Sequence, residues 1–114
     1  MFRHVYLYKL KPDVDPVQVK QKLMTLCALP SVYHMEVGLD FKHAQNSYDL
    51  IEDCFFKTQE DFLEFEKDAY HETIRQYMAG VQQAGVKIDY ETEADFLKGQ
   101  DYLAEPRLVK RGCG

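Results

Sequence analysis

The stretch RHVYLYKLKP near the start of the chain strictly alternates two kinds of side chain and ends at a proline. A period of two is typical of a β-strand, whose successive side chains point to opposite faces of a sheet. One predicted face is apolar and the other is aromatic and titratable: Val5 and Leu7 against His4, Tyr6 and Tyr8. Because neither face suits water, we expect helices to cover one face and a pocket or an inner interface to form on the other.

The rest of the chain predicts the order strand, helix, strand, strand, helix, strand. Helices are predicted over residues 16–29 and, with a break near residue 68, over 58–83; strands are predicted over 3–12, 32–39, 48–56 and 86–91. Asp15 followed by Pro16 is typical of a helix start, and Pro30 ends the first helix.

Two β-α-β halves in this order form a four-stranded antiparallel sheet with the helices on one face. This is the ferredoxin-like βαββαβ arrangement of the α+β class. We expect the open face to carry aromatic and apolar side chains of the first and last strands: His4, Tyr6, Tyr8, Val86, Ile88 and Tyr90. Such a face is too large to leave in water, and pairing of two identical chains covers it, so we expect a homodimer.

The length of 114 residues allows one domain, which we place at residues 1–91, with a C-terminal extension at 92–114 that forms a short helix or a docking arm. The formal charge of −5, without a large cluster of Lys and Arg, argues against nucleic acid as a partner. No apolar run approaches the roughly 20 residues that span a membrane, and no secretory signal is recognisable. We therefore expect a cytoplasmic protein without a membrane partner.

The chain carries no sign of a cofactor or a metal. It has no Gly-rich phosphate loop, nucleophile elbow or dinucleotide fingerprint. Its three cysteines lack the spacing of a zinc ribbon or a disulfide framework; Cys27 and Cys54 are predicted to be small buried side chains and Cys113 an exposed thiol. His34 and Glu36 share a predicted strand face, but two ligands are too few for a metal site.

Three segments carry a family resemblance: RHVYLYKLKPDVD at the start, EVGLDF followed by SYDL in the middle, and DAYHETIRQYM followed by VKIDYE toward the end. Over residues 2–91 they closely resemble the stress-responsive A/B barrel domain family, or Dabb. The resemblance implies a dimeric α/β barrel of ferredoxin-like subunits. It implies no reaction, because most members have no established activity.

One characterised relative type is the plant polyketide cyclase olivetolic acid cyclase. It folds a linear tetraketide by an aldol step, with a helix histidine as base and a strand histidine beside it. The resemblance places His71 and His4 at those two positions. Leu26 and Phe65 stand where that cyclase has tyrosines, so two hydroxyls that would orient the base or bind the substrate are absent here.

The two histidines are the candidate catalytic residues. His71 lies at a predicted helix start, where the backbone dipole favours the neutral ring that a general base needs. The alternative is a histidine that only bonds a neighbour. His4 is either the partner of His71 or a sheet histidine satisfied by a tyrosine hydroxyl.

Four further residues are candidates for ligand binding: Tyr6, Tyr8, Tyr48 and Glu52. The tyrosines can bind a polar ligand through their hydroxyls or serve only in packing. Glu52 and Asp53 interrupt a strand, so one of them points inward and needs a donor, a cation or a ligand, unless the strand is an exposed edge. Two functions stay open: a dimeric protein of unestablished activity with a small-molecule pocket, or a cofactor-independent polyketide cyclase or monooxygenase.

Overall fold

The computed structural model describes residues 1–93. The strands are β1 (Phe2–Leu10), β2 (His34–Leu39), β3 (Leu50–Phe56) and β4 (Gln82–Glu91); the helices are α1 (Pro16–Met24), continued by a 3-10 turn (Thr25–Ala28), α2 (Gln59–Lys67) and α3 (Ala69–Val81). The predicted order of elements is confirmed. The last strand begins at Gln82, four residues before the predicted start at Val86. The expected C-terminal arm beyond residue 93, with Cys113, lies outside the described residues.

The four strands form one antiparallel sheet in the order β2-β3-β1-β4. The helices pack on one face of this sheet, around a core that includes Leu23 from α1, Phe65 from α2 and Ile74 from α3. The predicted ferredoxin-like arrangement is therefore confirmed.

Side-chain caps fix where the helices begin. Asp15 accepts a hydrogen bond from the Val17 backbone N–H at 3.0 Å, and Pro16 takes the first helical position. Asp68, in an extended conformation, ends α2 and caps α3 by accepting from the backbone N–H groups of Tyr70 and His71. The break predicted near residue 68 is thus a cap shared by two helices, and it sets His71 in the first turn of α3.

The prediction for the facing of β1 is wrong. His4, Tyr6 and Tyr8 point toward the helices, and Val5 and Leu7 point to the open face. Alternation shows that two faces differ without showing which one meets the helices. The physical reason for the observed choice is that His4 and Tyr8 find hydrogen-bond partners on the helix side of the sheet, in Asp89 and Glu52, whereas the apolar side chains extend the open face.

The open face is apolar at its β4 edge. Val86, Ile88 and Tyr90 are 50%, 60% and 38% exposed, and register places Ile88 beside Val5 and Val86 beside Leu7. The prediction that these three side chains lie on the open face is therefore confirmed, but they share it with Val5 and Leu7 and not, as expected, with the aromatic side chains of β1. No helix within residues 1–93 has the length and apolar character needed to cross a membrane.

Candidate functional site

A cavity of about 320 Å³ lies between the sheet and the helices α2 and α3. Its lining combines aromatic, charged and amide side chains: His4, Tyr6, Tyr8, Glu52, Phe62, Phe65, Glu66, His71, Arg75, Met78, Gln82 and Lys87. Five of the six candidate residues from the sequence therefore meet in one place. The sixth, Tyr48, lies elsewhere.

His71 is held in the cavity wall by its own helix and by α2. Its Nδ1 lies 2.8 Å from the backbone carbonyl of Phe65, and its ring stacks on the Phe65 ring at a centroid distance of 3.9 Å. A carbonyl oxygen can only accept, so Nδ1 carries the hydrogen and Nε2 is left as a bare acceptor in the neutral ring. Nε2 has no protein partner among the described residues.

Burial lowers the pKa of His71 to about 4. The bond to the Phe65 carbonyl opposes this shift, and the positive charge of Arg75 adds to it. At neutral pH the ring is therefore uncharged, as the sequence analysis expected. The main physical cause is desolvation of the imidazolium rather than the helix dipole.

His4 lies between two carboxylates. Its Nδ1 donates a hydrogen bond to Asp89, the residue of β4 that pairs with it. Its Nε2 lies 3.6 Å from Oε2 of Glu52. Its ring centroid is 6.1 Å from that of Phe65, so Phe65 contacts both histidines of the cavity. The strand histidine is thus fixed by acids, and the helix histidine by a backbone carbonyl.

Of the two neighbouring carboxylates Glu52 and Asp53, Glu52 is the one that points inward. It is 2% exposed on the cavity side, where the Tyr8 hydroxyl donates to its Oε1 at 2.8 Å and the Cys54 thiol lies 3.5 Å from its Oε2. Burial and the Glu52 carboxylate raise the pKa of Tyr8, which keeps its hydroxyl a donor. The same two causes raise the pKa of Cys54.

The side chain of Tyr6 lines the cavity and lies over β4. Its ring stacks on Tyr8 at 4.2 Å and 14° and occupies the space over Gly85, where a side chain would collide with it. Its hydroxyl has no hydrogen-bond partner within residues 1–93. Of the two stacked tyrosines, Tyr8 is therefore bound to the protein and Tyr6 keeps a free hydroxyl.

Tyr48 lies before β3 and is 37% exposed. It lines a second cavity of about 460 Å³ with side chains of the open face and the β2–β3 loop, including Leu7, Phe41 and Ile51. The structure does not bring Tyr48 together with the two histidines.

Several lining residues were not among the candidates predicted from the sequence, above all Gln82, Arg75 and Lys87. Lys87 could have been found from the alternation of the last strand, because it stands between Val86 and Ile88 and therefore points to the opposite face of the sheet. Gln82 could not, because the predicted strand began only at Val86. In the part of the chain that the structure describes, no three acidic, histidine or cysteine side chains lie close enough to hold a metal ion.

A model of the Stress responsive A/B Barrel Domain family matches residues 2–92 of the chain. A comparison with curated proteins finds no match.

Solved structures share the fold. A dimeric ferredoxin-like protein of unknown function from Thermobifida fusca is 21% identical, with 80% of this chain and 90% of that chain covered and a TM-score of 0.70. A Dabb family protein from Mesorhizobium loti is 20% identical, with 82% and 97% covered and a TM-score of 0.65. A hydroxynitrile lyase from Passiflora edulis is 16% identical, with 82% and 94% covered and a TM-score of 0.68.

Proposed function

The chain belongs to the stress-responsive A/B barrel domain family, and we propose that it is a homodimeric small-molecule-binding protein with one ligand site in each subunit. The site is the cavity lined by His4 and His71. Its volume of about 320 Å³ is at the lower end of the range usual for small-molecule pockets.

The binding proposal is supported mainly by one observation: some polar side chains of the cavity are paired with other protein groups, and others are not. His4, Tyr8 and Glu52 are in contact with one another or with Asp89 and need no ligand. His71 Nε2 and the Tyr6 hydroxyl have no protein partner among residues 1–93. Polar atoms left over in an otherwise paired cavity favour a ligand that hydrogen-bonds them.

The apolar lining defines the rest of the ligand. Phe62, Phe65 and Met78 supply an aromatic and thioether wall, which suits a flat ring system. We therefore propose an aromatic molecule with one polar edge as the ligand, with its polar edge toward His71.

Binding is tested by NMR on protein labelled at the methionine methyl groups, with 2-naphthol as the probe. Met78 lines the cavity, whereas Met35 is a buried residue of β2 that does not line it. We expect the Met78 signal to shift in a saturable way and the Met35 signal to stay. No shift of Met78 at millimolar 2-naphthol would contradict the binding proposal.

Homodimerisation is supported by the open face, where Val86, Ile88 and Tyr90 form an exposed apolar strip. The Thermobifida fusca protein of the same fold is described as dimeric. A sheet face of this kind is stabilised when a second copy removes it from water.

The dimer is tested by light scattering on Val86→Lys, with Val17→Lys on α1 as the matched control, because both valines are 50% exposed. We expect wild type and Val17→Lys to be dimers at micromolar concentration. Val86→Lys should dissociate, because the charge would be buried without a partner. A monomeric wild type would remove the dimer from the proposal and leave the cavity untouched.

A second function is favoured by one specific feature, the bare Nε2 of a neutral, buried His71. Such a nitrogen can take a proton from carbon next to a carbonyl, without a cofactor, and the imidazolium formed would be stabilised by the negative charge left on the substrate. The low pKa makes His71 a weak base in the empty cavity, so this reaction depends on an anion forming beside it.

Proton transfer is tested by following deuterium uptake from D₂O at the methyl group of 2-acetylnaphthalene. The base removes a proton, and the enolate takes a deuteron in return. We expect His71→Asn, which keeps a donor to the Phe65 carbonyl, to lower the rate by about 10²–10⁴-fold, and His43→Asn on the exposed β2–β3 loop to leave it unchanged. Uptake by wild type at the uncatalysed rate would leave a binding protein only.

A further inference from the structure

The β1–β4 ladder contains a bulge at its cavity end. Lys9 pairs with Ala84, but Leu10 pairs with Gln82, so Gln83 faces no residue of β1. An extra residue in one strand reverses the facing of every side chain beyond it. Because Gln82 is opposite Leu10, a buried residue of the core, it points to the helix side of the sheet and into the cavity. In an unbroken ladder it would point to the open face.

The re-aimed side chain carries an unsatisfied polar atom. The Oε1 of Gln82 is buried and has no hydrogen-bond partner within residues 1–93. A buried amide oxygen without a donor destabilises the folded protein, and such atoms are rare in folded proteins. The backbone of Gln82 has a different task, since its N–H caps α3 by donating to the Met78 carbonyl.

From the bulge and the unpaired oxygen together, we propose that Gln82 selects ligands that carry a hydroxyl or N–H donor. This inference rests on the proposed binding function and deepens it by naming the chemistry of the ligand. The amide oxygen accepts the ligand's hydrogen, while the ring system lies against Phe65 and Met78. A ligand without the donor leaves the oxygen unpaired and binds more weakly, because a site built to accept a hydrogen bond discriminates against an analogue that lacks it.

The test compares two probes of the same ring system, 2-naphthol and 2-methoxynaphthalene, which differ in the donor hydrogen and keep the oxygen. Dissociation constants are measured by NMR titration for wild type, Gln82→Met and the control Gln83→Met, whose residue is exposed. We expect wild type and Gln83→Met to prefer the naphthol by about tenfold. Gln82→Met, of similar size and without this acceptor, should lose most of that preference, and any remainder is due to the bare Nε2 of His71.

The folding of Gln82→Met is checked by its Tm. The methionine removes a buried unpaired oxygen, so its Tm should equal or exceed that of wild type. A lower Tm would mean that the amide is already bonded in the empty protein and would overturn the inference.

The remaining outcomes separate the two proposals. If wild type binds both probes equally, or if Gln82→Met keeps the preference for the naphthol, the inference is overturned and the binding function stands. If neither probe binds wild type, the binding function fails and the inference fails with it.

Discussion

Two neighbouring carboxylates in β3 point to opposite faces of the sheet and meet opposite environments. Asp53, on the open face, forms a two-point ion pair with Arg3, with N···O distances of 2.8 and 2.6 Å. Glu52, on the cavity face, accepts from the neutral hydroxyl of Tyr8 and lies 3.6 Å from a histidine nitrogen. Both carboxylates are buried, at 8% and 2% exposure.

The difference indicates what each face does. A fixed guanidinium beside Asp53 leaves nothing for a third partner to add, which suits a surface that only packs against another surface. The cavity face instead holds polar atoms without a protein partner within residues 1–93, the Nε2 of His71 and the hydroxyl of Tyr6, which suits a site that binds a ligand. This contrast predicts differences in stability, and all free energies of unfolding are compared at one protein concentration because dimerisation makes them concentration-dependent.

Removing the cation on the open face should have the largest effect. Arg3→Met leaves the Asp53 carboxylate buried without its partner, and we expect the free energy of unfolding to fall by about 3 to 4 kcal/mol. Lys67→Met is the control, because Lys67 pairs with Glu64 at a site where both side chains are about 70% exposed, and it should cost less than about 1 kcal/mol. Urea unfolding measures both, and equal small losses would show that the Arg3 pair resembles an ordinary surface ion pair.

The cavity face should dominate the response to acid. The pKa of His71 is about 4 in the folded chain and 6.5 as the reference value, so between these pH values the unfolded chain binds a proton that the folded chain does not. His71 therefore leaves the free energy of unfolding unchanged above pH 6.5. As the pH drops from 6.5 toward 4, this free energy falls by about 2 to 3 kcal/mol, because only the unfolded chain binds the proton. His71→Asn cannot titrate, so its stability should fall less over this range. Parallel curves for the two proteins would contradict the assigned pKa.

Breaking the neutral partner of Glu52 should cost less than breaking the charged partner of Asp53. Tyr8→Phe removes the hydroxyl that donates to Glu52, and we expect a loss of about 1 to 2 kcal/mol. Tyr33→Phe is the matched control, because the Tyr33 hydroxyl has no hydrogen bond within residues 1–93. A loss from Tyr8→Phe as large as that from Arg3→Met would remove the contrast between the two faces.

The smallest effect concerns the shape of the cavity. A methyl group at residue 85 would lie 2.9 Å from the Tyr6 hydroxyl and still closer to its ring, so Gly85→Ala must push Tyr6 aside. We expect a loss of about 1 kcal/mol and weaker binding of 2-naphthol. Gly80→Ala, with no atom within 4 Å of the added methyl, should instead gain up to about 1 kcal/mol. A gain in both variants would mean that Tyr6 is free to move.

The sequence predicted the elements well because its signals for them are local. The alternation in β1, the Asp15-Pro16 start and the change of periodicity around Asp68 each depend on a few neighbouring residues, and the structure has an element or a cap at each. The order of elements then left the ferredoxin-like sheet as the simplest arrangement. The pairing of His4 with His71 in one cavity came from the family resemblance, not from periodicity.

The sequence failed where the answer depends on long-range register. Which face of β1 meets the helices depends on partners up to 85 residues away, such as Asp89 for His4. The bulge at Gln83 depends on how β4 fits against the end of β1, and no local pattern marks it. Tyr48 was grouped with the other tyrosines because it carries the same hydroxyl, although it lines the second cavity with Leu7 and Ile51 of the open face.

Both proposed functions depend on a neutral His71 ring whose bare Nε2 faces the cavity. A long-range proton–nitrogen NMR spectrum of the histidine side chains, recorded through a pH titration, tests it directly. We expect a His71 ring protonated at Nδ1 alone at neutral pH, with a pKa of about 4. A ring protonated at Nε2, or a pKa near the ordinary value of 6.5, would contradict it.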